Sequence, residues 1–233
     1  MTPETTAAYL LVPGAGGRGW YWHLVLDELR RGGHRAAAVD LPGADPEAGL
    51  PEYRDLIVAA GRALGQPVVL VAQSLGGFSA PLACAHLRVA ELILVNAMIP
   101  SPGETAGEWW GNVGWQAQAQ AAADRDGRPE VDVTDLDTLF LHDLPGPLAA
   151  EMRADPEAAA EGPAIFAQPW PLAAWPDIPT RVLSGRDDRL FPVALQRRVA
   201  RDRLGIEAEE IPGGHLGALS QPAALAEAVT RGG

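Results

Sequence analysis

Residues 68–77, Val-Val-Leu-Val-Ala-Gln-Ser-Leu-Gly-Gly, constrain the fold of this 233-residue chain more than any other stretch. The opening run of apolar, mostly β-branched side chains shows no polar alternation, so it reads as a strand buried on both faces inside a parallel sheet. The run stops at Ser74, and over 78–87 the apolar residues recur at helical spacing. A strand that turns at once into a helix with serine at the corner holds that serine at a strained backbone angle. Its hydroxyl is lifted above the carboxyl edge of the sheet. Such a corner demands small neighbours, which Ala72 and Gly76 supply, while Gly77 lets the helix pack close. The amide of Leu75 faces any oxyanion that forms beside the hydroxyl. The competing reading is a glycine-rich turn with an incidental serine.

The remaining punctuation favours the corner. Residues 7–12 read as a buried strand closed by Pro13-Gly14-Ala15-Gly16-Gly17, and 20–31 carry Trp20, Leu24, Val25 and Leu29 at helical spacing before Gly32-Gly33. A strand follows at 36–39, a helix at 51–64, the break Gly65-Gln66-Pro67, the corner, and a further strand at 92–95. Strand and helix in this alternation mean parallel strands joined by right-handed crossovers. The rhythm resumes with a strand at 181–184, the loop 185–192, a helix to about 204, a strand at 207–211 and a last helix at 222–230.

Between residues 100 and 179 the rhythm lapses. Five of the seven tryptophans, Trp109, Trp110, Trp115, Trp170 and Trp175, fall there. Helices are expected at 104–124 and 134–142, with Pro145-Gly-Pro and Pro169-Trp-Pro as breaks. This stretch reads as a helical cap inserted over the sheet edge, with 1–99 and 180–233 forming an α/β core. Most of the tryptophans pack the insertion down; Trp109 and Trp110 are candidates to line a pocket.

Composition narrows the chemistry. A net charge of -12 and a pI near 4.8 argue against nucleic acid or an anionic membrane as partner, since both demand positive patches. Every one of the 18 basic residues is arginine, which excludes Schiff-base lysines and Ser–Lys dyads. Cys84 is the one cysteine and reads as a buried, inert thiol; no His/Cys cluster has zinc spacing, and no metal or cofactor is expected. The N-terminus has no basic leader, and no run approaches the ~20 apolar residues of a membrane helix. A soluble cytoplasmic protein is expected.

A serine hydroxyl needs a base to take its proton and a carboxylate to orient that base. Carboxyl ends of parallel strands open on one edge, so residues distant in sequence converge there. Of the five histidines, His23 and His86 fall within expected helices, His34 precedes a strand and His142 lies in the insertion. Only His215 follows the last strand, on a Gly-Gly turn. Asp187 and Asp188 both occupy the preceding loop, and the position of Asp188 between Gly185 and Pro192 favours it as the inward-facing acid. Two amides must hold the developing oxyanion: Leu75 supplies one, and Ala15, made accessible by Gly14, the other. A phosphate-cradling role for residues 13–17 is weak, since no lysine follows and the spacing is not G-x-G-x-x-G.

With these residues in view, the chain resembles the α/β-hydrolase superfamily, whose triads run in the order Ser, Asp, His. Within it the chain is most similar to the small-lid group of plant-type methylesterases and hydroxynitrile lyases and their bacterial relatives. The resemblance covers 10–22, 33–42, 68–100 and 188–222, and the run Gly-Gly-His-Leu-Gly-Ala-Leu-Ser-Gln-Pro at 213–222 matches in spacing as well as type. It implies a doubly wound, mostly parallel sheet with a small helical cap, a Ser74–His215–Asp188 triad, and cofactor-free cleavage of an ester or related acyl bond in a small to medium apolar molecule. The lyase branch places a lysine after the histidine and a threonine in the first loop; here Leu216 and Gly14 stand there, which disfavours a cyanohydrin lyase. Ala72, Pro13 and Gln73 depart from the family's glycine, histidine and histidine. Gly14, Gln73 and Leu216 join the two tryptophans as candidate pocket residues. The same departures are where a lyase, cyclase or acyltransferase on this fold, or a receptor-like binding protein, would differ.

Overall fold

The computed structural model describes residues 8–65, 67–155 and 160–231. Ala7, expected at the start of the first strand, and Gln66, in the break before the corner strand, lie outside the described residues. Six strands form one parallel sheet: β1 (Ala8–Val12), β2 (Ala36–Ala38), β3 (Val68–Gln73), β4 (Val89–Val95), β5 (Thr180–Gly185) and β6 (Glu209–Ile211). Their order is β2-β1-β3-β4-β5-β6. The chain therefore steps outward from β1 to β2 and then returns to the other side of β1. That reversal leaves a crevice beyond the carboxyl ends of β1 and β3, the usual place for a site in an open α/β sheet. The glycine-rich loop leaves β1 there and Ser74 ends β3 there.

Alternate strand residues feed two cores, as a period of two requires. Leu10, Val12, Leu70, Ala72, Leu92 and Leu94 face one layer with α2 (Leu50–Leu64), α3 (Gly76–Ala83) and α8 (Val193–Leu204). Tyr9, Leu11, Val69, Val71, Ile93 and Val95 face the other, against α1 (His23–Arg31), α9 (Gly217–Ser220) and α10 (Pro222–Thr230). Between β4 and β5 lie α4 (Ala106–Asn112), α5 (Trp115–Arg125), a π-type turn (Asp137–Leu141), α6 (Gly146–Ala154) and α7 (Pro163–Ala167).

Several expected helices are shorter or divided. The 20–31 helix is a 3-10 turn at Gly19–Trp22 followed by α1. The 104–124 helix breaks at Gly114, whose φ of +62 is left-handed, and the 134–142 helix is only the π-type turn. The 78–87 helix stops at Ala83: Pro81 has no N–H to give, and Cys84 and His86 close with tighter bonds to the carbonyls of Pro81 and Ala83. His86 is thus outside the helix expected to contain it. The short helix α9 was not legible as a separate element. Four of the five insertion tryptophans spend their indole N–H inside the protein, Trp109 on Ile99 O, Trp115 on Leu190 O, Trp170 on Phe78 O and Trp175 on Thr180 Oγ1.

Candidate active site

Ser74 has φ +51, a left-handed conformation that costs a non-glycine residue about 1–2 kcal/mol and persists only where surroundings over-determine it. They do so here. The Ser74 N–H donates to Val95 O at 3.3 Å, and its carbonyl accepts from Gly77 N at 3.0 Å and Met98 N at 2.9 Å. A Cβ on Gly76 would lie 2.7 Å from Pro13 O, and one on Gly77 1.9 Å from Met98 O, so backbone already fills the space that side chains would need. The loop after β1 runs directly beside the serine: a Cβ on Gly14 would come within 2.7 Å of Ser74 Cβ and 2.5 Å of Gln73 Oε1. Ala15 follows in that loop and is exposed, while Leu75 is the residue between Ser74 and α3.

From two other strand ends come an imidazole and a carboxylate. Ser74 Oγ lies 3.0 Å from His215 Nε2, and His215 Nδ1 lies 2.9 Å from Asp188 Oδ2. An ionised carboxylate can only accept, so Nδ1 carries the ring proton and Nε2 is left free to accept from the serine hydroxyl. Asp188 Oδ1 accepts from Leu190 N at 2.9 Å and Phe191 N at 2.8 Å, while Gln196 Nε2 approaches Oδ2 at 3.3 Å. The three side chains are enclosed: Ser74 is 9%, Asp188 4% and His215 1% exposed. Asp187 by contrast pairs with Arg186 at 3.4 Å on the surface.

Two aromatic rings meet the His215 imidazole edge to face, Phe191 at 5.0 Å and Phe140 at 5.3 Å. The imidazole is only 1% exposed beside them. Trp109 and Trp110 stand one layer behind, packed on Phe191 at 5.1 and 5.4 Å rather than on the imidazole. Leu216 is buried in the layer with α9 and α10. Gln73 is buried and donates through Nε2 to the His215 carbonyl at 3.3 Å. His142, from the insertion, lies against the same loop: its Nε2 and Asp143 Oδ1 would each be 2.9 Å from a Cβ on Gly214, whose N–H donates to Asp143 Oδ2 at 2.6 Å. Burial, aided by Arg189, pushes the His142 pKa below its ordinary value. Cys84 is buried, which pushes its thiol up to about 12.

Asn96 was missing from the sequence reading. It is fully buried at the end of β4 with φ +46, and its one carboxamide ties that strand end to two loops. Its Oδ1 accepts from Gly185 N at 2.6 Å, and its Nδ2 donates to Gly214 O at 2.9 Å and His215 O at 3.3 Å. Gln196 adds a contact to Asn96 Oδ1 at 3.4 Å and donates to Phe191 O at 2.6 Å. The available signal was a polar residue closing an apolar strand at the edge where Ser74 closes another.

The sequence profile of the alpha/beta hydrolase family matches residues 9–228. The chain belongs to that family. A probable esterase, PIR7A, of Oryza sativa subsp. indica is 37% identical over 110 residues, and this alignment covers 42% of the chain and 42% of the rice protein. The chain thus spans under half the length of the rice relative it matches. A pyrethroid hydrolase of Sphingobium wenxiniae is 28% identical over 246 residues, covering 97% of the chain and 87% of that protein. Among solved structures, polyneuridine aldehyde esterase superposes with a TM-score of 0.75 at 19% identity, covering 96% of the chain and 97% of its own. Among the described residues, no helix is long and apolar enough to cross a membrane.

Proposed function

We propose that this family member is a cofactor-free serine hydrolase that cleaves a carboxylic ester or related acyl bond of a small to medium apolar molecule. The observation that carries the reading is the chain of hydrogen bonds from Ser74 Oγ to His215 Nε2 and from His215 Nδ1 to Asp188 Oδ2. In this reading the Ser74 oxygen attacks the acyl carbon as His215 takes its proton. The amides of Ala15 and Leu75 hold the oxyanion. His215 then protonates the leaving alkoxide, and water repeats the sequence on the acyl-enzyme. Asp188 fixes the tautomer and steadies the imidazolium, whose charge is otherwise costly beside Phe140 and Phe191. The enclosed, aromatic surroundings of His215 favour an apolar, uncharged substrate. Residues 100–179 act as the cap, reaching the site through Phe140 and the contact of Asp143 with Gly214.

The names of the relatives, a probable esterase and a pyrethroid hydrolase, support hydrolysis. A second reading, acyl transfer or another non-hydrolytic reaction, is favoured by the burial of His215, because an acyl-enzyme kept from water can be intercepted by another acceptor. The test is a panel of short p-nitrophenyl esters and a fluorophosphonate probe on the wild type and Ser74→Ala. Hydrolysis and labelling that vanish together in the variant uphold the serine mechanism. Labelling that persists removes Ser74 from it, and labelling without ester turnover in the wild type selects the second reading.

A further inference from the structure

The insertion does more than cover His215. Its residue Glu161 reaches across to the loop after β1, where Oε2 accepts from Gly16 N at 2.8 Å and Oε1 accepts from the Tyr53 hydroxyl. The next residue reinforces the dock: Gly162 N donates to Gly43 O at 2.6 Å, and a Cβ on Gly162 would lie 2.3 Å from Asp45 O. Arg18 and Asp155 pair on the surface nearby.

The segment that Glu161 grips is a tight turn. Gly17 N donates to Gly14 O at 3.1 Å, placing Ala15 and Gly16 at its two central positions. Gly16 has φ +86, as the second central residue of a type II turn does. Type I and type II turns differ by a flip of the peptide joining the central residues, here the one that carries the Gly16 N–H. A fixed acceptor for that N–H selects one of the two forms; the Ala15 N–H lies on the preceding peptide, which the flip does not turn, so the hold reaches it through the placement of the whole turn. We propose that Glu161 is a positioning residue, holding the turn that presents the Ala15 amide and so coupling the insertion to the oxyanion site. This rests on the serine-hydrolase reading for its catalytic consequence, though not for the hold on the turn itself. The alternative role, a plain structural tie between insertion and core, is set against Gly162, which already supplies such a tie without touching the turn's central peptide. Burial raises the Glu161 pKa against the opposing pull of the hydrogen bonds from Tyr53 and Gly16.

The test compares Glu161→Ala and Glu161→Gln with the wild-type full chain. The amide oxygen of Gln can still accept from Gly16, and the Tyr53 hydroxyl can rotate to accept from its NH₂. Two quantities are read: hydrogen–deuterium exchange of the peptide spanning 13–18, and kcat, KM and trifluoromethyl-ketone inhibition with a short p-nitrophenyl ester. Glu161→Ala is expected to speed exchange about tenfold and to lower kcat about 10–100-fold, the cost of a misplaced catalytic donor. KM should stay within about threefold while inhibitor affinity falls with kcat, as loss of an interaction made mainly in the transition state requires. Glu161→Gln should restore each value. Unchanged exchange in Glu161→Ala, a loss confined to KM, or failure of Gln to rescue overturns the proposal. A wild type without Ser74-dependent turnover refutes the hydrolase reading instead, and exchange alone then decides whether Glu161 holds the turn.

Discussion

Replacing Asn96 should damage stability and chemistry together, and the size of the effect follows from its bonds. Asn96→Ala orphans the buried Gly185 N–H, now satisfied at 2.6 Å, and the Gly214 carbonyl, now at 2.9 Å. Leaving a buried backbone group unpaired costs about 1–3 kcal/mol each. The His215 carbonyl loses less, since Gln73 Nε2 still reaches it at 3.3 Å. Alanine at φ +46 adds about 1 kcal/mol, because its Cβ is disfavoured in the left-handed region. The sum is a destabilisation of about 3–7 kcal/mol. Asn96→Gly orphans the same groups without the Cβ penalty, so it should be about 1 kcal/mol better than alanine. Asn96→Asp keeps the acceptor for Gly185 but turns a second oxygen on Gly214 O and buries a charge, so it should be at least as harmful as alanine. Equilibrium urea unfolding followed by tryptophan fluorescence measures all three. The variants that still fold should lose about 100-fold in kcat, since Asp188 and His215 sit on the loops released. A cost below about 1 kcal/mol for Asn96→Ala would refute the reasoning, because two buried groups cannot both be orphaned so cheaply.

Two further outcomes are expected. Asp188→Asn should lower kcat by about 10⁴, as tautomer control of His215 is lost, whereas Asp187→Asn should stay within about threefold as an exposed substitution; equal effects of the two would reverse the assignment of the acid. Glu104 is held below its ordinary value of 4.5: burial pushes it up, but Arg203, Asn112 and the Ser101 N–H outweigh that. A carboxylate with a lowered folded value contributes stability above its unfolded value and loses it as pH falls through the folded one. Glu104→Ala should therefore cost about 1–3 kcal/mol at pH 7, leaving the half-buried Arg203 with only the Ile99 carbonyl, with the gap to wild type narrowing below about pH 4.5 in urea melts. A gap that does not change with pH would refute this ion-pair account.

Legibility followed the range of the forces. Ser74, the six strands and the loop bearing His215 were readable because strand periodicity, glycine breaks and the chain order of the sheet are local or nearly so. Loop spacing favours Asp188 over Asp187, and in the structure Asp188 lies on His215 while Asp187 pairs with Arg186 and accepts from the Gly213 N–H. The insertion was least legible. Its helices are short, its long expected helix is cut by Gly114, and its tryptophans serve packing through indole bonds to distant carbonyls. Trp109 and Trp110, singled out for their type, stand behind Phe191, which touches the imidazole.

By itself the sequence determined the architecture and the chemical parts: apolar runs that can only be buried strands, a serine at a corner too tight for side chains, a histidine and an aspartate on loops of the same edge. Tertiary structure alone decided how those parts are held. Asn96, Phe140 and Glu161, and Gln196 in its contact with Asn96, act across separations of tens to over a hundred residues. No periodicity announces a hydrogen bond to a distant loop, because its partner is chosen by the packing of the whole sheet and not by the neighbours in the chain.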